Sequence, residues 1–327
     1  MLKALLIKTS SLGDVVHNLP VATDIRSRYP DARIDWAVEE AYAPLVALHT
    51  AVRNVIPVAI RRWRGRPLRA STWSEVGELR RLFGEERYDV VIDTQGLIKS
   101  AVLSRAANGR RHGFDAASAR EPLAARFYNV RHHVARHLHA VVRNRLLAAG
   151  ALGYRADDPV EYGIRAAARA GESRYCVLLH ATSRADKLWP TQRWIGLARG
   201  LEARGLRCAL PWGADAERAR SEDIAARLER PWVPARMPLS DMAALLAGAA
   251  AVIGVDTGLT HLAAALGVPV VALFCGSDPG LTGVYGARQA RNLGTSGTPP
   301  ELAGVLGALG ELEVLEAMTD SPSWPLK

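Results

Sequence analysis

Short, almost purely apolar runs recur along the chain, and between them lie longer stretches where apolar residues return every third or fourth position. Runs of the first kind predict strands buried on both faces, and the second predict the helices that cover them. In the first half, "KALLIK" (3–8) leads to a helix near Val16–Arg28, and "RIDWAV" (33–38) to one near Ala41. "VRNVIPVAI" (52–60) precedes a helix over Trp73–Glu86, and "YDVVIDTQG" (88–96) one starting near Leu97. A basic stretch (110–140) then runs into a helix ending near Ala149. The alternation restarts after the turn-rich "GYRADDPVEYGI" (153–164). "RYCVLLHATS" (174–183) is followed by a helix over Pro190–Arg204, "LRCALPWG" (206–213) by one over Ala216–Glu229, and "AAAVIGVDTG" (249–258) by one over Leu259–Leu266. "PVVALFCG" (269–276) closes the series.

This order predicts an α/β protein with two doubly wound, Rossmann-like domains, residues 1–160 and 161–327, facing each other across a cleft. The final "PELAGVLGALGELEVLEAM" (300–318) predicts a helix able to pack on either domain, including back on the N-terminal one. A length of 327 residues with 49% hydrophobic content suits two packed cores.

The longest apolar stretch, "MAALLAGAAAVIGV" (242–255), is shorter than the roughly 20 residues of a spanning helix. Only "ALLI" separates Lys3 from Lys8, too little for a secretory signal. Cys176, Cys208 and Cys275 lie in apolar runs without a CxxC pair, which suits buried thiols in a reducing compartment. A cytoplasmic protein is expected.

Charge sharpens the picture by its placement. Residues 51–145 hold 18 arginines and one lysine against eight acidic residues, whereas the whole chain carries +9, so the remainder is slightly acidic. An anionic partner on the first domain, or simply an arginine-rich solvated face, fits this distribution. A nucleic-acid-binding protein is the non-enzymatic alternative, but no zinc, RNP or helix-turn-helix pattern accompanies the charge. His132, His133, His137 and His139 fall in the same region, without a set of ligands elsewhere that would complete a metal site.

Four motifs carry candidate chemistry. In "GVDTGLTH", Asp256, Thr257, Gly258 and His261 follow a strand at the start of a helix, where exposed amides and the helix dipole favour a phosphate. The same residues also fit a capped helix with a structural histidine. In "HATSRADKLWP", Thr182 and Ser183 end a strand and Lys187 follows, either solvated or placed to neutralise a diphosphate. Glu217 fits a sugar hydroxyl or a helix N-terminus. In "SSLGDVVHNLP", Asp14 fits both a helix cap and a general base. Neither GxGxxG nor GxxxxGK[ST] occurs, which argues against an NAD-dependent oxidoreductase and a P-loop enzyme.

Together "KTSSLGDVVHNLP", "VIPVAIRRWR", "VIDTQGLIKS", "HGFDAASAREPLAARFYN", "HATSRADKLWP", "LPWGADAE" and "VDTGLTHLAAALG" resemble the lipopolysaccharide heptosyltransferase family, type I, in order from Lys8 to about Gly286. The resemblance implies a GT-B glycosyltransferase that inverts configuration while moving L-glycero-D-manno-heptose from ADP-heptose to Kdo of Kdo2-lipid A. It implies Asp14 as general base and Lys187 on the diphosphate. Donor contacts would come from Thr182, Ser183, Lys187, Glu217, Met237, Asp256, Thr257, Gly258 and His261. Acceptor contacts would come from Ser10, Arg61, Arg62, Arg64, Lys99, Arg120 and His139. The family often has a second threonine where this chain has Ser183. It further implies work at the cytoplasmic face of the inner membrane, with peripheral contact to its anionic surface and no nucleic acid. With no DxD pair near the donor motifs, neither a metal nor a cofactor is expected. A type II heptosyltransferase, or another nucleotide-sugar transferase with a different acceptor, is the alternative within enzymes.

Overall fold

The structure, a computed structural model, describes residues 1–66, 68–168 and 174–315. It comprises two compact units, Met1–Arg165 and Ala166–Lys327, and each holds one parallel sheet. In the first unit the strands are β1 (Lys3–Ile7), β2 (Arg33–Glu39), β3 (Val52–Val58), β4 (Arg87–Asp93), β5 (Asn108–Phe114) and β6 (Val130–His132). Their order is β3-β2-β1-β4-β5-β6. In the second they are β7 (Tyr175–Leu179), β8 (Arg207–Ala209), β9 (Ala251–Val255), β10 (Val270–Leu273) and β11 (Ala290–Leu293), ordered β11-β10-β9-β7-β8. Both orders are doubly wound, with the reversal between β1 and β4 in one sheet and between β7 and β9 in the other.

The central strands are the purely apolar runs. Ala4 to Ile7 in β1, Cys176 to Leu178 in β7 and Val270 to Leu273 in β10 have no exposed surface. Strands that the apolar pattern does not mark lie at an edge or, for β5, next to one. β5, which runs into the basic stretch, pairs with β4 and meets β6 only through His112–Phe114 against Val130–His132 at one margin of the first sheet, and β11 ("ARNL") extends the series beyond β10. Edge strands see solvent, so charged residues there cost little and protect the open edge.

Helix boundaries also depart from the periodicity. The helix expected near Val16–Arg28 is two, Leu12–Val16 and Leu19–Arg28. Pro20 in the second position of the latter has no amide to give and would clash with the turn before it, so the chain restarts at that point. "VAI" ends β3 at Val58, and a helix Ile60–Gly65 begins at once. The apolar stretch 242–255 divides at Gly248 into a helix, Leu239–Ala247, and β9. Among the described residues no helix is long and apolar enough to cross a membrane. The helix Leu302–Glu311 inserts Val305, Ala308 and Leu309 into the core of the second unit, beside Trp194, Val271 and Leu273. The stretch beyond residue 315 lies outside the described residues.

Candidate active site

Ligands of open parallel sheets bind outside the carboxyl ends of the strands, where the order reverses. In the second unit Lys187 and Asp256 follow the two strands at that point. Lys187 closes a single 3-10 turn, Ala185–Lys187, and its Nζ donates to Asp256 Oδ2 at 2.6 Å. Ser277 Oγ donates to the same oxygen at 2.5 Å, and His261 Nε2 lies 3.3 Å from Oδ1. Three segments thus converge on one carboxylate.

Two glycines make the convergence possible. A Cβ on Gly276 would fall 2.6 Å from the Asp186 carbonyl oxygen, so only glycine lets the segment carrying Ser277 close on the Lys187 turn. A Cβ on Gly254 would fall 2.2 Å from Thr260 Oγ1, whose hydroxyl donates to the Val255 carbonyl at 2.7 Å and locks the turn from β9 into the helix Gly258–Ala265.

Burial opposes ionisation of Asp256, but hydrogen bonds from His261, Lys187 and Ser277 outweigh it and hold the carboxyl well below the usual range. Asp256 is a buried anion, and Lys187, less buried, is its counter-ion. The helix-cap alternative fails here. Thr257 occupies the cap position without a side-chain cap bond, and Asp256 spends its oxygens on side chains.

The other donor-side candidates have less defined geometry. Thr182 is half-buried and Ser183 exposed in the segment after β7, and Met237 is half-buried just ahead of the helix Leu239–Ala247. Glu217 Oε2 accepts from Gly213 N at 2.7 Å and Ala214 N at 3.2 Å, so that oxygen caps the helix Asp215–Ala225. Its Oε1 has no partner among the described residues and stays available for a hydroxyl.

In the first unit the segments after β1 and β4 meet. Gln95 clamps them. Its Oε1 accepts from Thr9 N at 3.0 Å and Ser10 N at 3.2 Å, and its Nε2 donates to the Ser10 carbonyl at 2.5 Å. Lys99 Nζ donates to Ser10 Oγ at 3.0 Å, which unites two acceptor-side candidates. Asp14 Oδ2 accepts from Ser11 N at 2.9 Å and Ser11 Oγ at 3.0 Å, while Oδ1 has no hydrogen-bond partner among the described residues. The half-buried Asp14 is therefore a cap through one oxygen and open through the other. Beneath it Lys8 is buried, donating to the Thr94 carbonyl at 2.8 Å. Burial pushes its ammonium pKa down, against the pull of Asp14 and Asp93.

The remaining acceptor-side candidates differ from one another. Arg61, Arg62 and Arg64 share the helix Ile60–Gly65. Arg62 is bound to Glu40 through two contacts, at 3.2 and 3.1 Å, and to Glu75 at 2.8 Å. Arg61 lies over the Tyr42 ring at 5.5 Å, and Arg64 and Arg120 are exposed. His139 is buried and caps the helix Ala140–Leu152, its Nδ1 accepting from Val141 N at 3.2 Å. The histidine group disperses. His132 pairs with His112 at 3.0 Å and His133 with Asp115 at 3.0 Å, and no three His, Cys, Asp or Glu among the described residues gather as metal ligands.

Some residues at these sites are not among the candidates the sequence singles out. Gln95 and Ser277 follow their strands as "TQG" and "GS", which repeats the pattern of "HATS" and "VDTG" and is the signal that would have marked them. Asp93 is buried, takes a hydrogen bond from Tyr128 OH at 2.8 Å and supports the Gln95 amide at 2.8 Å. His180, fully buried at the end of β7, lies 2.9 Å from Ser221 Oγ and so ties the Lys187 segment to the helix carrying Glu217.

Known proteins share this architecture and sequence. Residues 76–303 match glycosyltransferase family 9 (heptosyltransferase). Lipopolysaccharide heptosyltransferase 1 of Salmonella typhimurium is 47% identical over 296 residues, which cover 88% of this chain and 93% of the relative. The enzyme of the same name from Pseudomonas aeruginosa is 47% identical over 298 residues, covering 88% and 82%. The structure of E. coli heptosyltransferase WaaC with ADP is 41% identical and superposes with a TM-score of 0.88 over 95% of this chain and 100% of that one. The form with ADP-2-deoxy-2-fluoro heptose gives 40%, a TM-score of 0.83, and coverage of 95% and 99%. The two sheets, their order and these likenesses identify the fold as GT-B, and the chain belongs to glycosyltransferase family 9, the heptosyltransferases.

Proposed function

We propose that this glycosyltransferase moves heptose from ADP-heptose to Kdo of the lipid A inner core, the first unit binding the acceptor and the second the donor. The observation that carries the donor assignment is the Lys187–Asp256 pair at the strand-order reversal, with Ser277 and His261 fixing the carboxylate. A buried anion locks Lys187 in place, so the ammonium is positioned before any diphosphate arrives, and little reorganisation is needed when charge develops on the leaving group. The relatives with ADP and the fluorinated ADP-heptose, at 41% and 40% identity, support the same donor.

In the transfer, an acceptor hydroxyl oxygen attacks the anomeric carbon and the bond to the β-phosphate oxygen breaks. ADP leaves with the electron pair, and the hydroxyl proton passes to Asp14 Oδ1. Lys187 and the amides beginning the helix Gly258–Ala265 offset the diphosphate charge. Thr182, Ser183, Thr257 and the open oxygen of Glu217 offer hydrogen bonds to the donor, and Met237 offers an apolar contact. Ser10, Lys99, Arg120, His139 and the arginines 61, 62 and 64 line the acceptor side. Guanidinium forks suit its carboxylates and phosphates. The basic stretch also meets the anionic membrane surface peripherally.

The test is ADP release from ADP-heptose with Kdo-bearing lipid A in vesicles, which should equal the heptose attached. Transfer only to a core that already holds a heptose, or equal transfer after Kdo is removed, would overturn the acceptor assignment.

A further inference from the structure

Beyond the acceptor-side arginines of the helix Ile60–Gly65, one ridge of the first unit carries exposed apolar side chains that the chemistry above does not use. The helices Ile60–Gly65 and Ala70–Glu85 are fastened together by Glu75, which accepts from Trp63 Nε1 at 2.8 Å and from Arg62 at 2.8 Å. Arg66 N donates to the Trp63 carbonyl at 3.1 Å, and Thr72 Oγ1 returns to the Arg66 carbonyl at 2.9 Å. Held on this frame, Leu68 is 96% exposed and Trp73 67%.

The long helix turns Thr72, Leu79 and Phe83 into the core. Trp73 lies to one side of that face, with the half-buried Val76 and the exposed Gly77 one turn on and the exposed Arg80 and Gly84 beyond, and its indole stays largely in solvent. Arg61, Arg64, Arg66 and Arg69, on the preceding helix and the residues after it, are exposed. From 61 to 81 there are seven arginines against Glu75 and Glu78, and Glu75 is already committed to Arg62.

A polyanion such as nucleic acid would satisfy the arginines and leave Leu68 and Trp73 in water. A surface that is anionic and apolar at once satisfies both, and the headgroup boundary of an anionic bilayer has that character. We infer that this ridge seats the first unit on an anionic lipid surface. Leu68 and Trp73 enter the headgroup boundary, and Arg64, Arg66, Arg69 and Arg80 rest on lipid phosphates. The inference rests on the reading of the first unit as the lipid-acceptor side, and its primary test needs no turnover.

The full chain should sediment with vesicles of phosphatidylethanolamine and phosphatidylglycerol, weakly with phosphatidylcholine, and less as salt rises. Leu68→Ser with Trp73→Ser should cut the partition to anionic vesicles about tenfold, with circular dichroism and ADP affinity unchanged, and Trp73→Phe should restore most of it. Turnover on an acceptor stripped of its acyl chains should be unaffected by the double substitution, while KM for the vesicle-embedded acceptor rises. Three results would overturn the inference: wild-type chain that ignores anionic vesicles, a double variant that binds them as tightly as wild type, or equal loss of turnover on the deacylated acceptor. Retention on duplex DNA matching that on vesicles and indifferent to the double substitution would also overturn it, in favour of a plain polyanion surface. Failure of heptose transfer itself would leave the vesicle result standing.

Discussion

Each unit sets a lysine and an aspartate at the reversal of its sheet, but in opposite roles. In the first, Lys8 is buried against a backbone carbonyl, whereas Asp14 is half-buried with one oxygen unpartnered. In the second, Asp256 is buried and fully engaged, whereas Lys187 is the more accessible member. An accessible carboxylate over a sequestered cation can take a proton. An accessible ammonium over a sequestered anion can take a phosphate. On the function proposed above, the same pair of residue types would serve base chemistry in one unit and anion holding in the other, according to which member is buried and hydrogen-bonded.

The sharpest break in that comparison is Asp14→Asn. It keeps the cap through an amide oxygen and removes the basic oxygen, so turnover should fall by roughly 10²–10⁴ with ADP affinity nearly unchanged. A near-normal rate in the purified variant would reduce Asp14 to a helix cap.

The second unit should respond differently. Lys187→Ala removes an interaction present in both ground and transition states, so ADP should bind roughly 10–100-fold more weakly by calorimetry and turnover should fall as well. Unchanged ADP affinity would mean that Lys187 merely neutralises Asp256.

How much of this contrast was legible beforehand follows from what sequence pattern measures. Apolar runs report burial, so β1, β7, β9 and β10 were plain, and β6, β11 and the neighbouring β5 were hidden by the polar residues that strands at or beside an edge tolerate. Asp14, Lys187 and Asp256 stood in short motifs after strands, which located them at the right sheet edge. What pattern could not show is which oxygen of each carboxylate is already spent. That depends on Ser11 for Asp14, on Gly213 and Ala214 for Glu217, and on Ser277, brought in by Gly276 from another strand, for Asp256.

The segments after β1 and β7 are also held differently, by a neutral amide at Gln95 and by a buried imidazole at His180. Burial, with Arg220 nearby, lowers the His180 pKa from 6.5 to about 4. Its folded value lies below the unfolded one, so its stability contribution is full above about pH 6.5 and drains away as pH falls toward 4. Other buried histidines, such as His49, have the same sign. His180→Gln should therefore flatten the loss of unfolding free energy between these limits by about one proton, or roughly 1.4 kcal/mol per pH unit. Parallel pH profiles from denaturant unfolding of variant and wild type would show that the imidazole is protonated in the folded chain.

The smallest effect expected is within the arginines of the helix Ile60–Gly65, where the sequence offers three equal candidates and the structure separates them. Arg62 has its charge committed to Glu40 and Glu75, so drawing it onto an acceptor phosphate means giving up contacts already made. Arg64 is exposed with no carboxylate partner among the described residues, and Arg61 is held only by a ring. Arg61→Ala with Arg64→Ala should raise the acceptor KM by roughly 3–10-fold and flatten its dependence on salt, since exposed charge acts within about 10 Å at ordinary ionic strength. Arg62→Ala should raise it by no more than about twofold, and ADP binding should stay constant in both. Equal KM changes at low salt would mean that the Glu40–Arg62–Glu75 network opens when acceptor arrives, and that the three arginines act as one patch.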